Sequence, residues 1–342
     1  MKKVILLFLL LLIPSSVKAS ICVMDTDAKR LLTGTGEHEV RLIASTTKIM
    51  TSLVVINNVD DLEEEIEVTD DVLKSFGSGI YIEVGEHIKV IDLLYGLMLR
   101  SGNDAAIMLA VHVGGSIEGF AKLMNETATS FGMKNTKFIN PSGLEDENGQ
   151  GNTSTCYDMA LLMSEATKCQ KLMEIMSTKH YGVQTDYKYY DWYNKNKLLT
   201  EYKYTTGGKT GYTEKAYRTL VTSATKDNKN LAVVTLNERD DFLKHKNKYE
   251  ETFKKYKLVN VVDKKKFLKN EGYEVKEDIN MLLTEDEIKK VKVSVTYLDD
   301  ALARSGYVTV SLNDKEYFKE NIYKREKSKG ILTKIFDFFH IF

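Results

Sequence analysis

The sequence predicts a mixed α/β (α+β) domain, then a small C-terminal β domain, then a terminal amphipathic helix. Three observations lead there. The 342 residues are 43% hydrophobic and 28% charged, a globular balance that excludes a disordered, collagenous or disulfide-dense chain. Short strand-like runs mix with helix-period stretches as far as about residue 258. Beyond that point, strand-like runs follow one another with no long helical pattern. At roughly 150 residues per domain the length suits two domains. A net charge of −1 gives no electrostatic case for nucleic-acid binding.

Residues 1–19 read as a secretory signal peptide. Lys2 and Lys3 precede an apolar run from Val4 to Ile13, Pro14 breaks it, and Val17-Lys18-Ala19 offers small residues for cleavage after Ala19. About ten apolar residues are too few to cross a ~30 Å hydrocarbon core as a helix. Ile21 before Cys22 argues against lipoprotein processing, which needs a small residue there. Cleavage removes three lysines and no acid, leaving 45 basic against 49 acidic side chains and a net charge of −4. Three cysteines, Cys22, Cys156 and Cys169, make no disulfide framework. With no CxxC and no His/Cys cluster, neither a metal nor a cofactor is expected.

Residues 20–258 form the larger unit. Ile21–Met24 and Leu31–Thr33 read as a hairpin around Asp25-Thr26-Asp27. Ser45–Ile56 reads as a helix with Ile49, Met50, Leu53 and Ile56 on one face. Helices are also expected over 90–99, 104–113, 120–131 and 155–166. Arg218–Ala224 and Leu231–Leu236 read as strands joined by the turn-rich Lys226–Asn230. Residues 259–322, with strand-like runs at 290–297 and 306–312, form the small β domain. Residues 323–342 carry Lys324, Arg325, Lys327 and Lys329 before Ile331, Leu332, Ile335, Phe336, Phe338, Phe339 and Phe342 at helical spacing. That pattern predicts a helix lying in a membrane interface.

Three short motifs carry chemistry. The first is Ser45-Thr46-Thr47-Lys48. Helical positions i and i+3 share a face, so the Lys48 amine can reach the Ser45 hydroxyl. Serine is a weak nucleophile until a base takes its proton, and lysine serves once burial or a second cation lowers its pKa. Ser15 with Lys18 and Ser223 with Lys226 share the spacing, but neither opens an amphipathic helix. The second motif is Ser101-Gly102-Asn103, between two expected helices. Its serine can relay a proton and its asparagine can hold Lys48 and a substrate amide. Ser311-Leu312-Asn313 is a strand-borne decoy. The third is Lys209-Thr210-Gly211 after Gly207-Gly208. A cation and a hydroxyl on a glycine-thinned strand edge suit a carboxylate whose own backbone joins the sheet. The order is Ser-x-x-Lys, Ser-x-Asn, Lys-Thr-Gly, with 56 and 108 residues between the motif starts.

With these motifs the chain resembles the D-alanyl-D-alanine carboxypeptidases, the low-molecular-mass penicillin-binding serine peptidases. The surrounding blocks Ile43–Thr51, Leu99–Ala106, Gly132–Thr136, Asn140–Leu144 and Gly208–Thr213 resemble the family as well. The resemblance is strong over 20–258. It implies a β-lactamase/transpeptidase-like catalytic domain, with Ser45 acylated by the penultimate D-Ala of a peptidoglycan pentapeptide stem. Lys48 would be the base, Ser101 and Asn103 would support proton transfer and placement, Lys209 and Thr210 would bind the terminal carboxylate, and Gly211 would lie at the bound substrate. The backbone N–H groups of Ser45 and Tyr212 would form the oxyanion hole, and Arg239 would help hold the carboxylate. β-Lactams would trap Ser45, at the extracytoplasmic face of the membrane. Two departures stand out: the Gly/Asn-rich 146–153 segment, and Arg218 where a smaller or uncharged residue is usual.

Other readings use the same residues. A class A-like β-lactamase would need a water-activating glutamate, and no Glu-x-x-Leu-Asn block lies between Ser101 and Lys209. A catalytically inert peptidoglycan-binding protein would not need Ser45, Lys48 and Lys209 intact. An endopeptidase or esterase on the same fold is a third variant.

Overall fold

The computed structural model describes residues 18–269, 272–298 and 305–324. The apolar N-terminal run and the basic, aromatic tail from residue 325 lie outside the described residues.

A five-stranded antiparallel sheet runs in the order Arg30–Thr35, Ser20–Asp25, Lys229–Leu236, Tyr217–Lys226, Thr205–Thr213. Its central strands are buried on both faces, so they read as continuous apolar runs rather than an alternation. Period two still sorts them. Cys22, Met24, Val221, Val234 and Leu236 face one cluster, while Val23, Leu220, Leu231 and Val233 face another. The two middle residues of the Lys226–Lys229 turn, Asp227 and Asn228, take φ of +52° and +58°. That pair of left-handed residues matches the strand twist, and Asp and Asn adopt it at little cost.

Helix α1 (Lys48–Asn58) runs through the first cluster. Around it lie α2 (Val90–Tyr95), α3 (Asn103–Gly114), α4 (Ile117–Ser130), α5 (Cys156–Ala166) and α6 (Gln170–Ser177). The helix expected over 90–99 is regular only to Tyr95 and continues as a π-turn, Gly96–Arg100. The other sheet face is covered by α8 (Asp241–Lys255), which follows a short helix α7 (Leu198–Glu201). Sequence pattern misses α8 because only Asp241, His245, Tyr249, Thr252 and Phe253 within its run of charges are buried, and just two of these are large and apolar in character. It also misses α6 and the hairpin His180–Gln184 with Tyr189–Tyr193.

The C-terminal strands have a core of their own, including Val262, Met281, Leu283, Val308, Val310 and Ile322. One sheet orders Tyr273–Val275, Lys315–Lys324, Ser305–Leu312 and Val291–Tyr297; a second pairs Lys257–Val262 with Ile279–Leu283. The buried Arg30 ties this unit to the large sheet, donating from Nη1 to Glu287 Oε1 at 2.8 Å.

Candidate active site

The chain enters α1 through a 3-10 turn, Ala44–Thr47. Ala44 holds φ +46°, a left-handed conformation that costs a non-glycine residue about 1 kcal/mol or more. Thr46 Oγ1 and Thr219 Oγ1 fix it by donating to the Ile43 carbonyl at 2.6 and 3.1 Å. Ser45 is thereby left half-buried on the wall of a cleft of about 370 Å³.

Lys48 is fully buried, and its Nζ lies 3.1 Å from Ser45 Oγ, 2.7 Å from Asn103 Oδ1 and 2.8 Å from the Ser142 carbonyl oxygen. Asn103 Nδ2 donates to the Phe76 carbonyl at 2.6 Å, which fixes Oδ1 toward the lysine. Two of the three neighbours therefore only accept. A neutral amine has two N–H groups and one lone pair, so donating to Asn103 and Ser142 leaves the lone pair for the Ser45 hydroxyl. Burial, then the Lys209 and Lys195 cations, push the Lys48 amine well below its ordinary value.

The Ser142 carbonyl is itself held in place. Asn140 Oδ1 accepts from the N–H of Ser142 and Gly143 at 3.1 and 2.7 Å, and Thr51 Oγ1 donates to the Pro141 carbonyl at 2.7 Å. Asn152 Nδ2 donates to Thr47 Oγ1 and to the Asn140 carbonyl at 3.0 and 2.8 Å. Gly143 takes φ +88°, and a Cβ there would sit 1.9 Å from the Ala44 carbonyl oxygen. These contacts give the Asn140–Leu144 block a physical role. Asn152 lies in the 146–153 segment that departs from the family pattern.

Ser101 is buried and lines the cleft in a left-handed conformation, φ +65°, between the π-turn and α3. Gly102 beside it leaves room for Asp104 to turn back, since a Cβ would fall 2.8 Å from Asp104 Oδ1. That carboxylate accepts from the N–H of Ile80 and Tyr81 at 2.9 and 2.6 Å, pinning the loop that carries Ser78 into the cleft.

The opposite wall is the edge strand Thr205–Thr213, which has one unpaired side. A Cβ on Gly211 would come within 3.0 Å of the Ser45 backbone nitrogen, so only glycine lets the strand approach the serine this closely. Lys209 is buried, donates to the Thr210 carbonyl at 2.8 Å, and is lowered to about 7 by burial and by Lys195. Thr210, Gly211 and the exposed Tyr212 line the cleft.

The structure thus brings Ser45, Lys48, Ser101, Asn103, Lys209, Thr210, Gly211 and Tyr212 together. It does not bring Arg239. The strand ends at Leu236, Asn237 turns at φ +58°, and Arg239 falls on an exposed neighbouring depression with Leu198 and Lys246. Arg218 lines the cleft instead. Its Nη2 and Nε donate to the buried Asp241 carboxylate at 2.6 and 3.1 Å, which holds the guanidinium in place. Lys195 also lines the cleft and has no motif to announce it.

Residues 14–240 match the family model of the D-alanyl-D-alanine carboxypeptidases. The D-alanyl-D-alanine carboxypeptidase DacF of Bacillus subtilis is 34% identical over 215 residues, covering 61% of this chain and 54% of DacF. The matched stretch is likewise 53% of DacA from Haemophilus influenzae, so it spans about half the length of these curated relatives. Penicillin binding protein 5 from Haemophilus influenzae has a similar fold, with TM-score 0.73 at 23% identity over 90% of this chain and 96% of that one. A variant of the Streptomyces K15 DD-transpeptidase gives TM-score 0.63 at 28% identity, over 68% and 94%. Three ordered motifs, one cleft that unites them and a family model spanning most of the chain agree: this chain belongs to the D-alanyl-D-alanine carboxypeptidase family.

Proposed function

We propose that the chain is a serine-type D-Ala-D-Ala carboxypeptidase that removes the terminal D-alanine from peptidoglycan pentapeptide stems. The observation that carries this reading is the buried Lys48 amine, whose two other partners leave its lone pair for the Ser45 hydroxyl. Ser45 Oγ attacks the penultimate D-Ala carbonyl carbon while its proton passes to Lys48 Nζ. The new C–O bond replaces the C–N bond, and the departing amine takes a proton relayed through Ser101. Water then attacks the ester carbonyl, and the serine hydroxyl is restored. Backbone N–H groups of Ser45 and Tyr212 hold the oxyanion, each such donor being worth ~3 kcal/mol.

The stem peptide adds to the free side of the edge strand. Its terminal carboxylate meets Lys209 and Thr210, with Arg218 taking the part expected of Arg239. Among the described residues lining the cleft the one carboxylate is Asp241, engaged by Arg218. That leaves no free acid to speed deacylation and favours a carboxypeptidase over a β-lactamase. The readings of residues 1–19 as an export signal and of the tail as a membrane-surface attachment support a reaction at the extracytoplasmic face. Of the tail expected over 323–342, Tyr323 and Lys324 instead end the strand Lys315–Lys324.

The test is intact-mass spectrometry of the purified protein after penicillin, beside Ser45→Ala, together with D-alanine release from a peptide ending in D-Ala-D-Ala. A long-lived adduct and D-alanine release, both absent from Ser45→Ala, support the reading. Rapid drug turnover would move it to a β-lactamase, and an unconsumed drug with no adduct to an inert binding protein.

A further inference from the structure

The hairpin His180–Gln184 with Tyr189–Tyr193 follows period two on both strands. Tyr181, Val183, Tyr190 and Trp192 turn inward, and Tyr190 donates its hydroxyl to the buried Glu86 at 2.8 Å. The outward face carries His180, Gly182, Gln184, Tyr189, Asp191 and Tyr193. Two of these are large aromatic residues left in water, with Tyr189 62% and Tyr193 60% exposed.

Both rings are held in place. The Tyr193 ring packs on His180 at 4.4 Å between centroids, and His180 Nε2 bonds Asp191 across the ladder. The Tyr189 hydroxyl lies 2.2 Å from where a Gly182 Cβ would be, so its ring extends across the glycine along the ribbon. At about 3.3 Å per residue the backbone positions of the two tyrosines are ~13 Å apart along the strand, and the Tyr189 ring leans from its own toward Tyr193. The ribbon is continuous with the cleft. Tyr193 is followed by Asn194, bonded to the Thr178 carbonyl at 2.9 Å, and then by Lys195, which lines the cleft beside Ser45.

We propose that this outward face is a saccharide ledge that binds the glycan strand bearing the stem peptide. The proposal rests on the carboxypeptidase reading above, since it supplies the sugar part of that substrate. A pyranose ring presents a C–H face that lies on an aromatic ring and a rim of hydroxyl and acetamido groups that need polar partners. On this ribbon each ring has such partners beside it: His180 and Asp191 at Tyr193, Gln184 opposite Tyr189. A protein partner would select a contiguous apolar patch with charge excluded from its centre, and this face interleaves rings with polar groups. The placement of the two rings along one ribbon lets sugars of one strand use different tyrosines, with the stem peptide falling toward Lys195 and Ser45.

Two measurements on the full chain test the ledge. The first is D-alanine release from a free pentapeptide and from glycan strands carrying that pentapeptide. Wild type is expected to show the lower KM on the glycan-linked form. Tyr189→Ala and Tyr193→Ala are expected to raise that KM five- to tenfold, with kcat and free-pentapeptide KM unchanged. Gly182→Val, which suits a strand but displaces the Tyr189 ring, is expected to act like Tyr189→Ala. The second is binding of peptide-free glycan strands by calorimetry, which is expected to be lost in Tyr193→Ala. Equal KM on the two substrates, equal losses on both in the tyrosine variants, or no glycan binding by wild type overturns the ledge. Glycan binding lost in Tyr193→Ala without D-alanine release in wild type would uphold the ledge and overturn the carboxypeptidase reading instead.

Discussion

Gly143→Ala tests whether the Asn140–Leu144 block aims the base. The added Cβ would sit 1.9 Å from the Ala44 carbonyl oxygen and 2.8 Å from Thr47 Oγ1. Ordinary contact begins near 3.4 Å, so one side must retreat by about 1.5 Å. Ala44 precedes Ser45, and the residue before Gly143 supplies the carbonyl that accepts from Lys48. Either retreat moves Ser45 or Lys48, and a misplacement of about 1 Å can cost ~10²-fold in rate. The φ of +88° adds roughly 1 kcal/mol of strain. Gly132→Ala is the control: its φ is +77° and nothing lies within 4 Å of the added Cβ, so it carries only the backbone strain. The assay is the acylation rate by a β-lactam, followed by intact mass at a temperature where both variants are folded by circular dichroism. Gly143→Ala should acylate at least ~10²-fold slower than Gly132→Ala. Rates within threefold of each other, in two folded proteins, would refute the positioning argument.

Three more predictions concern charge. Lys48→Gln keeps a donor for Asn103 but removes the proposed base, so acylation should fall by ~10²–10⁴-fold. The same variant should melt above wild type at pH 7. A buried lysine whose folded pKa lies below its unfolded value loses stability as pH falls from 10.5, and glutamine removes that penalty. Lys209, at about 7 in the free protein, must be charged to hold a carboxylate. KM for a D-Ala-D-Ala peptide should therefore rise toward tenfold per pH unit above about 7, and stay flat in Lys209→Arg; a flat wild-type profile over pH 6–9 would count against that role. His245 is buried between Thr222 and Thr235 and lowered by that burial from 6.5 to about 3. Protons then favour the unfolded chain between those values, so stability is lost as pH falls through 6.5. Between pH 7.5 and 5.5 denaturant unfolding should show wild type losing about 1.4 kcal/mol more than His245→Gln.

The parts of the site that could be read from sequence are those where spacing alone decides geometry. Ser45 and Lys48 are neighbours because three residues make one helical turn, and that holds even though Ser45 sits in a 3-10 turn rather than in α1 itself. The glycines around Lys209 signal a close approach, and Gly211 does abut the Ser45 nitrogen. What stays hidden is contact between distant segments. Nothing near Asn140 or Asn152 shows that their carboxamides brace a carbonyl for Lys48. Lys195 is one lysine in a lysine-rich chain until the hairpin before it sets its place. Arg218 and Arg239 are equivalent by composition; the turn at Asn237 and the buried Asp241 decide which one reaches the cleft. The helix α8 escaped detection for a similar reason, because its five buried residues are outnumbered by lysines and glutamates.

The cations around the cleft also explain how a lysine can serve as base in this site. Burial alone disfavours the charged form of Lys48, and Lys209 and Lys195 repel a proton placed on it. Lys209 is in turn lowered by burial and by Lys195, so the set resists protonation at two buried amines at once. An arriving carboxylate changes the balance at one end. On the proposed binding mode it would stabilise the charged form of Lys209 more than that of Lys48, which faces Ser45 and two fixed acceptors. Binding should therefore take up a proton at Lys209 while Lys48, now beside a fully charged neighbour, keeps its lone pair. On the proposed mechanism the substrate's own charge would thus complete the binding cation and leave the base free. A neutral C-terminal amide in place of the carboxylate should lose kcat as well as affinity, because it cannot bring about that proton uptake; an amide substrate with unchanged kcat would break this link between binding and catalysis.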